Sequence, residues 1–137
     1  MLYCYTLTVP AGTPENNPVK QTISLEPGVL RRIEVVFPFG TNCMVKVRIK
    51  HGEKVIVPAN ADAWLVGNGE TVRIDMLMEY LDRPFELVVE VASPGTNYDH
   101  TIYLRFEVVS EEMAFPERRL ARILEEIARR LYARRIG

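Results

Sequence analysis

The two histidines of the sequence are the side chains best suited to acid–base chemistry at neutral pH. His51 lies in a predicted turn and His100 at the start of a predicted strand, and neither has a serine or cysteine nucleophile motif beside it. A catalytic site that combines His100 with Asp99 and Glu53 is one interpretation, and it corresponds to a small enzyme. The interpretation that we favour is polar residues at strand ends, so we predict no enzymatic activity.

Motifs for metals and cofactors are absent from the sequence. It has no glycine-rich phosphate-binding or dinucleotide-binding motif, no zinc-ligand spacing and no EF-hand loop, so we predict no cofactor. Asn60, Asp62 and Asn68 offer oxygen atoms to a calcium ion, but such residues also favour turns, which is the interpretation we prefer. Cys4 and Cys43 form no C-x-x-C motif, and we expect two small buried side chains, with a structural disulfide as the alternative.

Trp64 lies on the long predicted connection between residues 58 and 69 and is a candidate anchor at an interface. The alternative is an aromatic plug that folds back over the end of the core. Together with Tyr80 and Tyr98, Trp64 would instead form an aromatic platform, and the chain would be a carbohydrate- or ligand-binding module.

These residues must be positioned by strands, because from residue 2 to residue 109 the apolar residues recur with period two. The pattern predicts eight strands, near 2–9, 19–26, 29–37, 43–50, 53–57, 71–76, 84–92 and 100–109. Between them lie proline, glycine and asparagine, and no helix long enough for a parallel crossover. We therefore predict antiparallel sheets.

Eight short strands in one open sheet would leave an apolar face bare, so we predict a mainly β fold, an antiparallel β-sandwich that is jelly-roll-like or immunoglobulin-like. The last two strands are apolar on both faces, and we expect something to cover their outer side. The predicted core contains Ile23, Leu25, Val35, Phe37, Val47, Ile49, Leu87, Val89, Leu104 and Phe106.

After Ser110 the apolar period changes to that of a helix, which we predict from 116 to 135 with Pro116 in its first turn. We therefore divide the chain into a sandwich domain, 1–110, and a C-terminal basic amphipathic α-helix, 111–137. Its apolar residues form a single stripe, named the arm stripe below: Leu120, Ile123, Leu124, Ile127 and Leu131.

The helix and the rest of the chain have opposite charges. Residues 117–137 contain seven arginines and three glutamates, a net charge of +4, and the net charge of −1 for the whole chain leaves −5 on residues 1–116. The arm stripe either packs on the chain's own terminal strands or docks on another subunit, which opposite charges assist. Glutamates within the basic face argue against nucleic acid, and a membrane contact is not favoured. The candidate interface residues are Trp64, Arg134 and the arm stripe.

A chain of 137 residues, 47% of them hydrophobic, suits one folded domain. No apolar run approaches the roughly 20 residues that span a bilayer, and the N-terminal segment has no basic region, so we expect neither a membrane span nor a signal peptide. These features predict a cytoplasmic protein, or a virion component if the chain is viral.

The succession of these segments resembles small virion structural proteins of bacterial or archaeal viruses. The resemblance rests on segments 5–13, 18–30 and 35–40, followed by the C-terminal helix. It implies a homo-oligomeric protein that decorates or cements a capsid through multivalent contacts. Its partners would be other copies of itself and a major capsid protein, and the resemblance transfers no functional residue.

Overall fold

The computed structural model describes residues 1–136, and within them the chain forms two antiparallel sheets and two helices. One sheet has the strand order β1-β9-β3-β7, and the other has the order β2-β8-β4-β5, with β6 also paired to β4. The elements are β1 (Leu2–Val9), β2 (Val19–Leu25), β3 (Gly28–Phe37), β4 (Lys46–His51), β5 (Lys54–Val57), β6 (Leu65–Val66), β7 (Glu70–Tyr80), β8 (Phe85–Ala92), β9 (His100–Val109), α1 (Glu111–Ala114) and α2 (Pro116–Ile136).

The strands pair in a nested order that follows from folding one long antiparallel ribbon. β4 pairs with β5, β3 with β7, β2 with β8 and β1 with β9. Rolling this ribbon brings β9 beside β3 and β8 beside β4, which completes the two sheets. This winding is that of a jelly roll, so the predicted β-sandwich is confirmed and its jelly-roll form is selected over the immunoglobulin-like one.

The core lies between the two sheets and is apolar. All ten residues that the sequence predicts for the core are buried, and three phenylalanines, Phe37, Phe85 and Phe106, are its largest fully buried side chains. Tyr5 packs edge-on against Phe106, with 5.9 Å between ring centroids. Each sheet therefore uses the other to bury its apolar face, as the period-two pattern requires.

Three details of the strand prediction are wrong, and the first is that the strand predicted over 71–76 continues to Tyr80. The fourth strand begins at Lys46 rather than at 43, because Asn42 and Cys43 have φ angles of 49° and 58°, which a strand cannot contain. The two-residue strand β6 was not predicted, because it is too short to show an alternating pattern.

The C-terminal helix is confirmed, and a short helix precedes it. Ser110 caps α1 by accepting a hydrogen bond from the Met113 N–H at 3.2 Å. Phe115 leaves the helical conformation because a residue that precedes proline disfavours it, and α2 then begins at Pro116.

Replacing Phe37 or Phe106 with Ala should lower the free energy of unfolding by about 3–5 kcal/mol, because each ring fills space between the sheets. Phe39→Ala is the matched control, since the Phe39 side chain is 86% exposed, and it should cost less than about 0.5 kcal/mol. Denaturant unfolding measures all three. Equal losses for Phe37 and Phe39 would contradict the packing.

Candidate assembly surface

The helix α2, called the arm below, projects from the sandwich. Every residue from Pro116 to Arg135 is exposed, and the arm-stripe side chains are between 45% and 57% exposed. The stripe therefore does not pack on the chain's own terminal strands, and that alternative is wrong. The two sheets already bury each other's apolar faces, and the core cluster that they form contains no residue of α2.

The base of the arm is held by ion pairs. The Arg118 guanidinium binds the Glu79 carboxylate of β7 at 2.7 Å and lies 3.8 Å from the centre of the Phe115 ring. Arg122 binds Glu111 of α1 at 2.8 Å. These contacts join the base of the arm to β7 and α1.

The outer half of the arm is basic. Within residues 1–136, Arg129 and Arg134 form no ion pair, and Arg130 binds only Glu126, one helical turn away, at 2.7 Å. Glu117, at the base, is likewise exposed and unpaired in the described part of the chain. The arm thus presents an apolar stripe and free charges of both signs to solvent, which is typical of a surface that binds another macromolecule.

Trp64 lies on the sandwich, away from the arm, and its side chain is half-buried. The Arg48 guanidinium covers its ring, 4.1 Å from the ring centre, and the same guanidinium binds the Glu90 carboxylate at 2.6 Å. Lys50 approaches the other oxygen of Glu90 at 3.1 Å. The structure therefore does not bring Trp64 together with the arm stripe and Arg134, and it places Trp64 as a cover over a buried ion-pair cluster.

Glu90 is the buried charge of that cluster, with a side chain only 3% exposed. Burial opposes ionisation of its carboxyl group, but the hydrogen bonds and charges of Arg48 and Lys50 outweigh burial and lower the pKa of Glu90. This cluster lies on the outer face of β8, where the sequence offered only the spacing of charges and no partner assignment.

The sequence predicts that something covers the outer sides of β8 and β9, and the structure shows a different environment for each strand. β8 and β9 lie in different sheets, so no single element covers both. The loop 10–18 is fastened at the end of β8, where the Ser93 N–H donates to the Thr13 carbonyl at 2.9 Å and Lys46 binds Glu15. Tyr103 of β9 remains 44% exposed on the outer face of its sheet.

The three aromatic residues of the platform hypothesis do not converge. Tyr80 stacks on Phe85, which begins β8, with ring centroids 5.1 Å apart. Tyr98 follows β8 and is 76% exposed, so the eight residues of that strand separate it from Tyr80. Trp64 is covered by Arg48 on the outer face of the second sheet.

The three residues of the catalytic interpretation, His100, Asp99 and Glu53, are not brought together either. The Asp99 carboxylate accepts a hydrogen bond from the Ala11 N–H at 2.8 Å, and His100 pairs with Val9 at the start of β9. Glu53 lies in the turn after β4, at the end of the sandwich where Lys50 pairs with Val88, away from the β8–β9 connection.

The residues considered for calcium act in turns. The Asn68 side-chain oxygen accepts hydrogen bonds from the Gly40 and Asn42 N–H groups at 3.1 and 3.2 Å. Across residues 1–136 no three His, Cys, Asp or Glu side chains are grouped as metal ligands. No helix in the same range has both the length and the apolar character for crossing a bilayer.

Cys4 and Cys43 are both free and exposed, so the expectation of two buried side chains is wrong and no disulfide joins them. Cys4 lies on the outward face of β1, opposite the side that Tyr5 and Leu7 turn to the core, and Cys43 lies in the irregular turn before β4.

Comparisons of the chain with protein-family models, with curated proteins and with solved structures gave no significant match.

Replacing Glu90 with Gln should lower the free energy of unfolding at pH 7 by about 1–3 kcal/mol, because two cations lose their shared carboxylate. The folded-state pKa of Glu90 is lowered, so its contribution is complete above the unfolded pKa of about 4.3 and is lost as the pH falls through the folded pKa. Unfolding of the variant should therefore depend less on pH below about 4.3.

Glu86→Gln is the control, because Glu86 lies on the same face of β8 but is exposed. Denaturant titrations between pH 3 and pH 7 make the comparison. Identical pH profiles for the Glu90 variant and the unsubstituted protein would contradict the role of this cluster.

Proposed function

We propose that this chain is a non-enzymatic structural protein of a virion, which decorates or cements a capsid through multivalent protein–protein contacts. The observation that supports the proposal is the exposed arm: a rigid sandwich presents an apolar stripe that its own body does not bury. Helices in proteins gain most of their stability from packing an amphipathic face, so the exposed stripe of the arm supports a role for a partner that covers it.

The jelly-roll winding is compatible with the same proposal at the level of fold. Jelly rolls occur in viral capsid and lectin domains, so the winding by itself favours no single function. The arm favours the first use, because a shell component needs contacts to several neighbours, whereas a lectin needs a site for one sugar. An arm that reaches about 30 Å can connect neighbouring copies on a surface.

Multivalency allows each of these contacts to be weak. When copies are fixed in an array, a second contact forms within one assembly, and overall attachment exceeds the affinity of each contact. Opposite charges on the arm and on residues 1–116 assist such contacts between copies.

A carbohydrate- or ligand-binding module is the second candidate, and Tyr98 is the residue that favours it. Its side chain is exposed beside Met44 and His100 in an open depression at the end of the sandwich. A glycan array probed with the purified protein tests this alternative. Tight binding of one sugar class that Tyr98→Ala abolishes would favour it over the shell proposal.

The double variant Leu124→Ala, Ile127→Ala should lose self-association, because it removes the centre of the arm stripe while alanine preserves helix propensity. Its dissociation constant should rise at least about a hundredfold. The control is Glu126→Ala, Arg129→Ala on the polar face. Light scattering across a concentration series measures both, and equal behaviour of the two variants would contradict a role for the stripe.

The virion role itself requires particles. An antibody against the purified chain should label particles released from cultures that express the gene, at regular spacing over their surface, in immunogold electron microscopy. Label confined to cell interiors, with particles bare, would contradict the virion proposal.

A further inference from the structure

Four of the five arm-stripe residues have the spacing of a coiled-coil seam, and Ile123 lies beside that seam. Leu120, Leu124, Ile127 and Leu131 are separated by four, three and four residues, which are the steps between d and a positions of a heptad. Continuing these steps by three residues in each direction leads to Glu117 and Arg134. The seam therefore has four apolar positions in its centre, a glutamate at its N-terminal end and an arginine at its C-terminal end.

The charges at the two ends distinguish the possible orientations of two such helices. In a parallel pair, Glu117 would face Glu117 and Arg134 would face Arg134, so both ends of the seam would be repulsive. In an antiparallel pair, Glu117 of each copy faces Arg134 of the other, and both ends are attractive. Antiparallel helices also place opposite ends of their dipoles together.

The apolar positions match in the same antiparallel register. If the two-fold axis passes between Glu125 and Glu126, Leu120 faces Leu131 of a second copy and Leu124 faces Ile127. Ala121 and Ala128 flank the seam and face each other, which allows the two helices to approach closely. Glu125 and Glu126 themselves lie on the outer side of the pair, where their charges remain in water.

From this agreement we infer that the arm binds the arm of a second copy of this chain, in an antiparallel two-fold pair. The inference rests on the proposed function and specifies its partner. The contacts are isologous, so the pair closes on itself and does not propagate into a filament. Each pair holds two sandwiches at opposite ends of a connection about 30 Å long, which is a geometry suited to linking neighbouring positions on a shell.

The structure leaves the required surfaces free. Leu120, Leu124 and Leu131 are each more than half exposed, and Glu117 and Arg134 form no ion pair within residues 1–136. The ion pairs at the base of the arm use Arg118 and Arg122, which lie outside the seam. Dimerisation therefore requires no contact of the described chain to break. Exposed ion pairs are weak, so the end charges set the orientation and the apolar layers set the affinity.

Crosslinking of single-cysteine variants tests the orientation directly. In a full-length background with Cys4→Ser and Cys43→Ser, both of which replace exposed thiols, Leu120→Cys and Leu131→Cys are prepared separately. We expect a mixture of the two to form a covalent dimer with a short bismaleimide reagent, and each variant alone to form several-fold less. Efficient crosslinking of Leu120→Cys with itself would show a parallel pair and would overturn the inference.

Charge reversal provides a second test, and it leaves the apolar layers intact. Glu117→Arg alone and Arg134→Glu alone should each raise the dissociation constant about tenfold, because each places like charges at both ends of the pair. Mixing the two single variants should restore association, since every end then has one cation and one anion. Weak association of the mixture, equal to that of each variant alone, would overturn the inference.

The outcomes separate this inference from the proposed function. A protein that labels particles but remains monomeric at high concentration overturns arm-to-arm pairing and leaves the virion role intact. A protein that pairs through its arms but never appears on particles supports the inference and contradicts the virion role.

Discussion

The mutual burial of the two sheets is the constraint on which the rest of the structure depends. Each sheet has one apolar face, and the two faces bury each other in a core that includes Phe37, Phe85 and Phe106. The sandwich is therefore complete without the C-terminal helix. An amphipathic helix attached to such a sandwich keeps its apolar stripe exposed, and we propose that a partner outside its own body covers that stripe.

The ion pairs also differ between the sandwich and the arm. Within the sandwich, buried or half-buried charges are matched locally, as Glu90 is by Arg48 and Lys50. On the arm, the matching is incomplete: Glu117 and Arg134 are both free in the described part of the chain. Local matching stabilises a monomer, whereas the unmatched charges at both ends of the apolar seam are the basis of the orientation that we infer for a pair of arms.

The alternating pattern was sufficient to predict the sandwich, its core and the arm, because period two and period 3.6 report directly which faces are buried. The alternating pattern was not sufficient to predict strand order, because the order depends on how the long antiparallel ribbon of paired strands rolls up into two sheets. The apolar pattern places Cys43 in a strand, which is wrong, because a left-handed turn leaves no mark on such a pattern. The pattern does not show α1 either, although Ser110 before two glutamates is a helix-start signal. Trp64 could not be placed by sequence alone, since its Arg48 partner comes from a strand 16 residues earlier. The sequence does not determine what the arm stripe packs on, because a helical stripe looks the same whether it packs within a chain or between chains.

Hydrogen exchange at several protein concentrations tests the central claim, that the arm is completed by a partner, most directly. Amides of the arm from Leu120 to Leu131 should exchange quickly in dilute protein and become protected as the concentration rises, while amides of β3 remain protected throughout. Arm amides that exchange at the same rate at every concentration would contradict the account.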